Sequence, residues 1–177
     1  DIVLGRGGDQ AVIRQNDIYK FFGGRAQEVE KRTKVKARVV AHALENLIKE
    51  SNKVMIMGHA NPDIDAMGSS IGIYRLARSL EKNAYIITSN TPTLQSFKES
   101  LLEEPEYEDV LISKEVAEEN IDEDTLLVIV DTHKINYVES QEVLNKAKKI
   151  VIIDHHRRSA DYIENATLTF QEVYASS

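Results

Sequence analysis

Between residues 53 and 154 the chain repeats one pattern: a short, continuously apolar run, then a polar stretch long enough for a helix. The runs are VMIM (54–57), YII (85–87), VLI (110–112), LLVIV (126–130) and IVII (150–153). A strand with one face in water alternates apolar and polar residues, whereas a strand apolar at every position is covered on both faces. No run approaches the ~18 apolar residues of a membrane-spanning helix. Covered strands alternating with helices predict an α/β fold built on a parallel sheet. The expected strands are 53–58, 84–88, 109–113, 125–131 and 149–154. Helices are expected over 66–82, about 93–103, a short acidic stretch after 113, and about 138–147. The first of these places Ile71, Tyr74, Leu76, Ala77 and Leu80 on one side.

Three of the runs end in the same chemistry. VMIMG leads into His59, with Asp63 and Asp65 close behind; LLVIV ends on Asp131, followed by Thr132 and His133; IVII ends on Asp154, then His155 and His156. Open parallel sheets bind ligands beyond the carboxyl ends of their strands, so the three clusters are expected on one edge. The remaining histidine, His42, lies elsewhere. Acids crowded in a partly buried crevice raise one another's pKa until they take up protons, unless cations balance them. The chain has no cysteine, which excludes disulfides and thiolate zinc sites and agrees with a reducing compartment. Carboxylates and imidazoles without thiolate suit Mn²⁺, Mg²⁺ or another first-row ion. The supply is enough for two ions, a pair that in phosphoryl chemistry holds both the attacking water and the leaving oxygen.

The first loop carries further features. Pro62 stiffens the turn and biases Asn61 toward extended backbone. Ala66, Gly68, Ser69 and Ser70 are small, and amides at the start of the helix they enter could meet a phosphate. The bland alternative for Asp65 is a helix cap. A lone Asp after a strand is more often a cap than a ligand, and DHH alone is a weak match. Three clusters in order, each at a strand end, are much harder to read as caps.

Upstream, residues 1–24 read as a helix end or loop and then a hairpin, AVIRQ and IYKFFGG, turning at Asn16-Asp17. Residues 26–50 read as one uninterrupted helix with Val29, Val39, Val40, Ala43, Leu44, Leu47 and Ile48 mostly on one face. Its first half holds KRTKVKAR (31–38), with five positive charges and no acid, best explained as a solvated face. Residues 103–124 hold eleven acids and one Lys, and the net charge is -7. Such a chain is a poor general binder of long nucleic acid, so a small or short anionic substrate is expected. The chain opens on Asp, and its tail, TLTFQEVYASS, is not a convincing domain end; a piece of a longer protein is expected.

These residues resemble the motifs of the DHH phosphoesterase superfamily: HANPDIDAMGSS the first, VDTH the second, DHHRR the third. The resemblance implies that His59 and Asp63 hold one metal, Asp65 and His155 the other, and that Asp131 bridges them. It implies that His156 faces the scissile phosphate, that Asp154 and His133 support the ligands from behind, and that Arg157, with Asn61 and Ser69, contacts substrate. The upstream segment resembles the stretch joining a degenerate GGDEF domain to a DHH domain in bacterial cyclic-di-AMP phosphodiesterases of the GdpP/YybT type. The domains implied are a GGDEF remnant (1–25), a connector helix (26–50) and an incomplete DHH domain (51–177). GGDQ (7–10) then belongs to the end of the degenerate domain and is assigned no catalysis. The family's fourth motif and its DHH-associated domain would lie beyond Ser177.

The function implied is hydrolysis of cyclic-di-AMP to linear pApA with two Mn²⁺ ions, or Mg²⁺. One alternative is the same chemistry on short oligonucleotides, 3′-phosphoadenosine phosphate or pyrophosphate; another is a metal- or nucleotide-binding sensor without turnover. The location implied is the cytoplasmic side of the membrane, with no membrane contact by these residues and a homodimer possible in the parent.

Overall fold

A computed structural model describes residues 10–15, 18–23, 26–89, 95–107, 109–157 and 159–171. The expected Asn16-Asp17 turn, Gly7 to Asp9 of the GGDQ run, Gly24 and the tail beyond Gln171 lie outside the described residues. The chain forms two compact units, Asp1–His42 and Ala43–Ser177.

In the first unit, β1 (Gln10–Gln15) and β2 (Ile18–Gly23) pair antiparallel, Gln15 opposite Ile18, as the hairpin reading expects. Helix α1 (Ala26–Glu50) has the expected bounds, and the division between units falls inside it. Among its described side chains Leu44 and Ile48, four residues apart, are buried. Val39, expected on the same face, is instead exposed; it lies before Leu44, where burial begins among the described side chains.

The second unit holds a six-stranded parallel sheet formed by β3 (Lys53–Met57), β4 (Asn83–Ile87), β5 (Leu111–Ile112), β6 (Thr125–Val130), β7 (Lys149–Asp154) and β8 (Leu168–Gln171). The order across it is β5-β4-β3-β6-β7-β8. The chain therefore builds outward from β3 to β5, returns to lay β6 against β3, and builds outward the other way. β3 and β6 pair in register, Met57 opposite Ile129. β6 is buried at every position, as a central strand of a two-faced sheet must be.

Alternate strand residues enter different cores. Val54, Ile56, Ile86, Leu126 and Val128 join Leu44 and Ile48 of α1 and Tyr74 and Ala77 of α2 (Ile64–Ser79). Met55, Met57, Leu127, Ile129, Ile150 and Ile152 join Ala117 of α4 (Lys114–Asn120) and Val143 and Leu144 of α5 (Gln141–Lys146). Successive side chains of a strand point to opposite faces, so the helices cover both sides. Helix α3 (Gln95–Leu102) lies between β4 and β5 in sequence.

Several sequence expectations need correction. The sheet has a sixth strand, β8, beside β7. It was missed because it is only half-buried and lacks the continuous apolar signature. β5 shrinks to two residues. Helix α2 starts at Ile64 rather than 66, because Asp63 caps it, and it ends before Glu81, whose φ of 60° is left-handed. The helix expected from 138 begins only at Gln141, capped by the Ser140 hydroxyl. Residues Ile135–Tyr137 form a 3₁₀ turn, and Val138 pairs with His59 instead.

Candidate functional site

The sheet reverses its order between β3 and β6, and the loops leaving the carboxyl ends of these two strands carry His59 and Asp131. A reversal leaves a crevice because neighbouring strands send their connections to opposite sides. β7 adds Asp154, His155 and His156 next to β6.

Each of these residues is held by backbone geometry. Gly58 and Ala60 flank His59 and pair with the segment 137–139. The Ala60 N–H donates to Tyr137 O at 2.7 Å, and the Glu139 N–H donates to Gly58 O at 3.1 Å. A Cβ on Gly58 would meet Ala66 Cβ at 3.1 Å, so glycine lets α2 approach the end of β3. Asp131 continues the ladder through its N–H to Ile153 O at 3.0 Å, yet takes φ 57°. Few residues other than glycine accept that conformation, and aspartate is among them. The turn aims the carboxylate across the crevice instead of along the strand.

Asp131 lies at the centre. Its Oδ2 is 3.6 Å from His59 Nε2, and its Oδ1 is 3.1 Å from His155 Nε2 and 3.7 Å from His156 Nδ1. Asp63 Oδ1 is 4.0 Å from His59 Nε2, and Asp65 Oδ2 is 3.6 Å from His155 Nε2. Two sets of potential ligand atoms result, His59–Asp63–Asp131 and Asp131–His155–His156, each within 4.8 Å and sharing one carboxylate. Asp131 is buried. Desolvation first, then the like charges of Asp65 and Asp63, push its carboxyl above the ordinary value, while the imidazoles of His156 and His155 pull it down. An acid held at an electrostatic cost beside other acids is what a cation relieves. The donor set, oxygen and imidazole nitrogen without sulfur, fits a hard or borderline divalent ion.

The cap of α2 belongs to Asp63, not to Asp65 as the bland alternative had it. Asp63 Oδ1 accepts the N–H groups of Asp65 at 2.9 Å and Ala66 at 3.0 Å. A carboxylate retains lone pairs on its second oxygen, so capping and cation binding are compatible.

Behind the first set of side chains lies a buried network. His133 Nδ1 and His156 Nδ1 both bond to the Asp154 carboxylate, the latter at 2.8 Å. The Ser159 N–H donates to His133 Nε2 at 3.0 Å, which leaves the ring proton on Nδ1, facing Asp154. Burial alone would raise the Asp154 carboxyl, but hydrogen bonds from His133 and His156 outweigh it and hold the group below its ordinary value.

Asn61 and Arg157 are exposed, and neither lines the cavity beside Asp131. The Ser69 hydroxyl oxygen is buried without a hydrogen-bond partner among the described residues. The cavity, about 240 Å³, is lined beside the ligand set by Thr132 of VDTH, and by Lys134 and Tyr137, which the sequence reading did not single out. Glu139 was also missed: it is buried, accepts a hydrogen bond from the Ser89 hydroxyl, and ties the end of β4 to the segment supporting His59. The signal for Lys134, Tyr137 and Glu139 was their place just after VDTH.

Fold and site together define an α/β domain with a shared-carboxylate centre suited to divalent ions. The chain belongs to the DHH family: residues 53–177 match its N-terminal domain. Over its whole length it is 47% identical to the cyclic-di-AMP phosphodiesterase GdpP of Geobacillus thermodenitrificans and 44% identical to the cyclic-di-AMP phosphodiesterase PdeA of Listeria monocytogenes. It spans 28% of the length of each. A crystal structure of an exopolyphosphatase-related protein from Bacteroides fragilis shares the fold, with TM-score 0.60 and 24% identity over 78% of this chain and 41% of that one.

Proposed function

We propose that the full-length protein is a phosphodiesterase that hydrolyses cyclic-di-AMP to linear pApA, with two Mn²⁺ ions as cofactor and Mg²⁺ as the substitute. The observation that carries this reading is the divided carboxylate of Asp131, one oxygen toward His59 and the other toward His155. Two divalent ions bound there would activate a water and neutralise charge on the phosphoryl oxygens. His59 and Asp63 would hold one ion, Asp65 and His155 the other, with Asp131 between them.

The protein's own groups define the rest. Asp154 fixes the His156 ring through Nδ1, which leaves Nε2 to face the scissile phosphate. When His156 is protonated, Nε2–H donates to a phosphoryl oxygen and stabilises the charge that develops as water attacks. The P–O3′ bond breaks, and the ribose 3′ oxygen leaves and takes up a proton. Among the described residues no helix is long and apolar enough to cross a membrane. The proposed setting is the cytoplasmic face of a membrane, with the anchor in another part of a homodimeric parent. The names of the two relatives support the choice of substrate.

The test is a substrate panel on the full-length protein with Mn²⁺: cyclic-di-AMP, short linear oligonucleotides, 3′-phosphoadenosine phosphate and pyrophosphate. Cyclic-di-AMP should be consumed fastest, with pApA as first product. Faster turnover of another panel member overturns the substrate assignment. Thermal stabilisation by Mn²⁺ without any product favours a sensor.

A further inference from the structure

The crevice beside Asp131, about 240 Å³, opens to solvent. A base attached to a phosphate bound there reaches the rim of the crevice. Tyr137 stands on that rim: it lines the cavity with His59, Asp131 and His156, yet is 58% exposed. Exposed aromatic rings beside a phosphate site are the usual platform for a base, because every base has a flat face to stack.

Two further features mark the ring as positioned. Its backbone is tied at both ends of the 3₁₀ turn: Tyr137 N–H donates to Lys134 O at 3.2 Å, and Tyr137 O accepts from Ala60 N–H at 2.7 Å. The turn is thus bonded to the loop that carries His59. The Lys134 ammonium also lies 4.9 Å from the Tyr137 ring centroid, close enough to orient the ring by cation–π attraction. Lys134 is the only Lys or Arg among the described residues lining the cavity, whose other charged residues include Asp63 and Asp131. It adds positive charge where a phosphate must approach acids.

We propose that Tyr137 and Lys134 form a nucleobase subsite at the rim of the metal-binding crevice, Tyr137 stacking a base of the substrate and Lys134 holding the ring and meeting a phosphate oxygen. The subsite deepens the phosphodiesterase reading and rests on it for the identity of the nucleotide.

The test uses the full-length protein with Mn²⁺ and the variants Tyr137→Ala, Tyr137→Phe and Lys134→Gln. Dissociation constants for pApA and for inorganic phosphate, which has no ring to stack, are measured by calorimetry, and kcat/KM is measured for cyclic-di-AMP. Tyr137→Ala should weaken pApA binding and lower kcat/KM roughly tenfold while leaving phosphate affinity unchanged. Tyr137→Phe should restore both, and Lys134→Gln should weaken binding and flatten its salt dependence. Unchanged pApA affinity in Tyr137→Ala, an equal loss on pApA and phosphate, or no pApA binding by the unmodified protein overturns the subsite. Tight, Tyr137-dependent pApA binding without cyclic-di-AMP hydrolysis overturns the substrate assignment and leaves the subsite standing.

Discussion

His133 donates from Nδ1 to the carboxylate of Asp154 in the interior, where the two side chains are 4% and 0% exposed. Asp154 does not line the cavity, and the pair sets the orientation of His156 through the second Asp154 oxygen. Removing His133 strips a buried carboxylate of a charge-assisted partner. His133→Ala should therefore cost roughly 3 kcal/mol in urea unfolding. His156→Ala should cost under about 1 kcal/mol, because the His156 side chain is 54% exposed, while abolishing turnover. Equal losses of stability would contradict this division of roles.

Asp131 serves both ligand sets, so one substitution should disable both. With Mn²⁺ at about a hundred times its dissociation constant, each site should add about 2.7 kcal/mol to stability, read as a rise in Tm. Asp131→Asn should remove that rise for both ions. The metal-free variant should melt no lower than the metal-free parent, because a desolvated charge repelled by Asp65 and Asp63 has been removed. Retention of half the Mn²⁺ stabilisation would show that the carboxylate is not shared.

Gly58 and Gly72 should answer in opposite directions. On Gly58 a Cβ comes to 3.1 Å from Ala66 Cβ, so Gly58→Ala must push α2 from the end of β3. A loss of about 1–2 kcal/mol with weakened Mn²⁺ binding is expected, since His59 is the next residue. A Cβ on Gly72, inside α2, meets nothing within 4 Å, and Gly72→Ala should gain up to about 1 kcal/mol from helix propensity. Denaturant midpoints of the two variants check both signs.

Asp122 offers a pH signature away from the site. The hydrogen bond from Lys53, 2.9 Å away, and then that from Thr125 hold its carboxyl at about 2. A folded-state value below the unfolded value of about 4 stabilises the fold above that range. The contribution fades as pH falls from about 4 through about 2. The side chain is 51% exposed, so the effect is under about 1 kcal/mol. Asp122→Asn should be slightly less stable at pH 7, and the difference should vanish near pH 2; a constant difference across that range would count against the assignment.

Local chemistry made much of this protein legible. An apolar run buried on both faces has no other stable use in a chain of this kind, so four of the strands stand where their residues demand, and Asp131 and Asp154 fall where those runs stop. β5 and β8 were blurred or lost because edge strands are short or half-covered. The choice of Asp63 over Asp65 as cap was undecidable from spacing alone, since either can close the first turn of a helix. What only the tertiary structure decided is which ends meet. Laying β6 against β3 sets the Asp131 carboxylate between His59 and His155, which are far apart in the chain, and brings Tyr137 and Lys134 to the same crevice. Pairing of that kind depends on non-local burial and on the reversal of strand order, and no window of neighbouring residues encodes it.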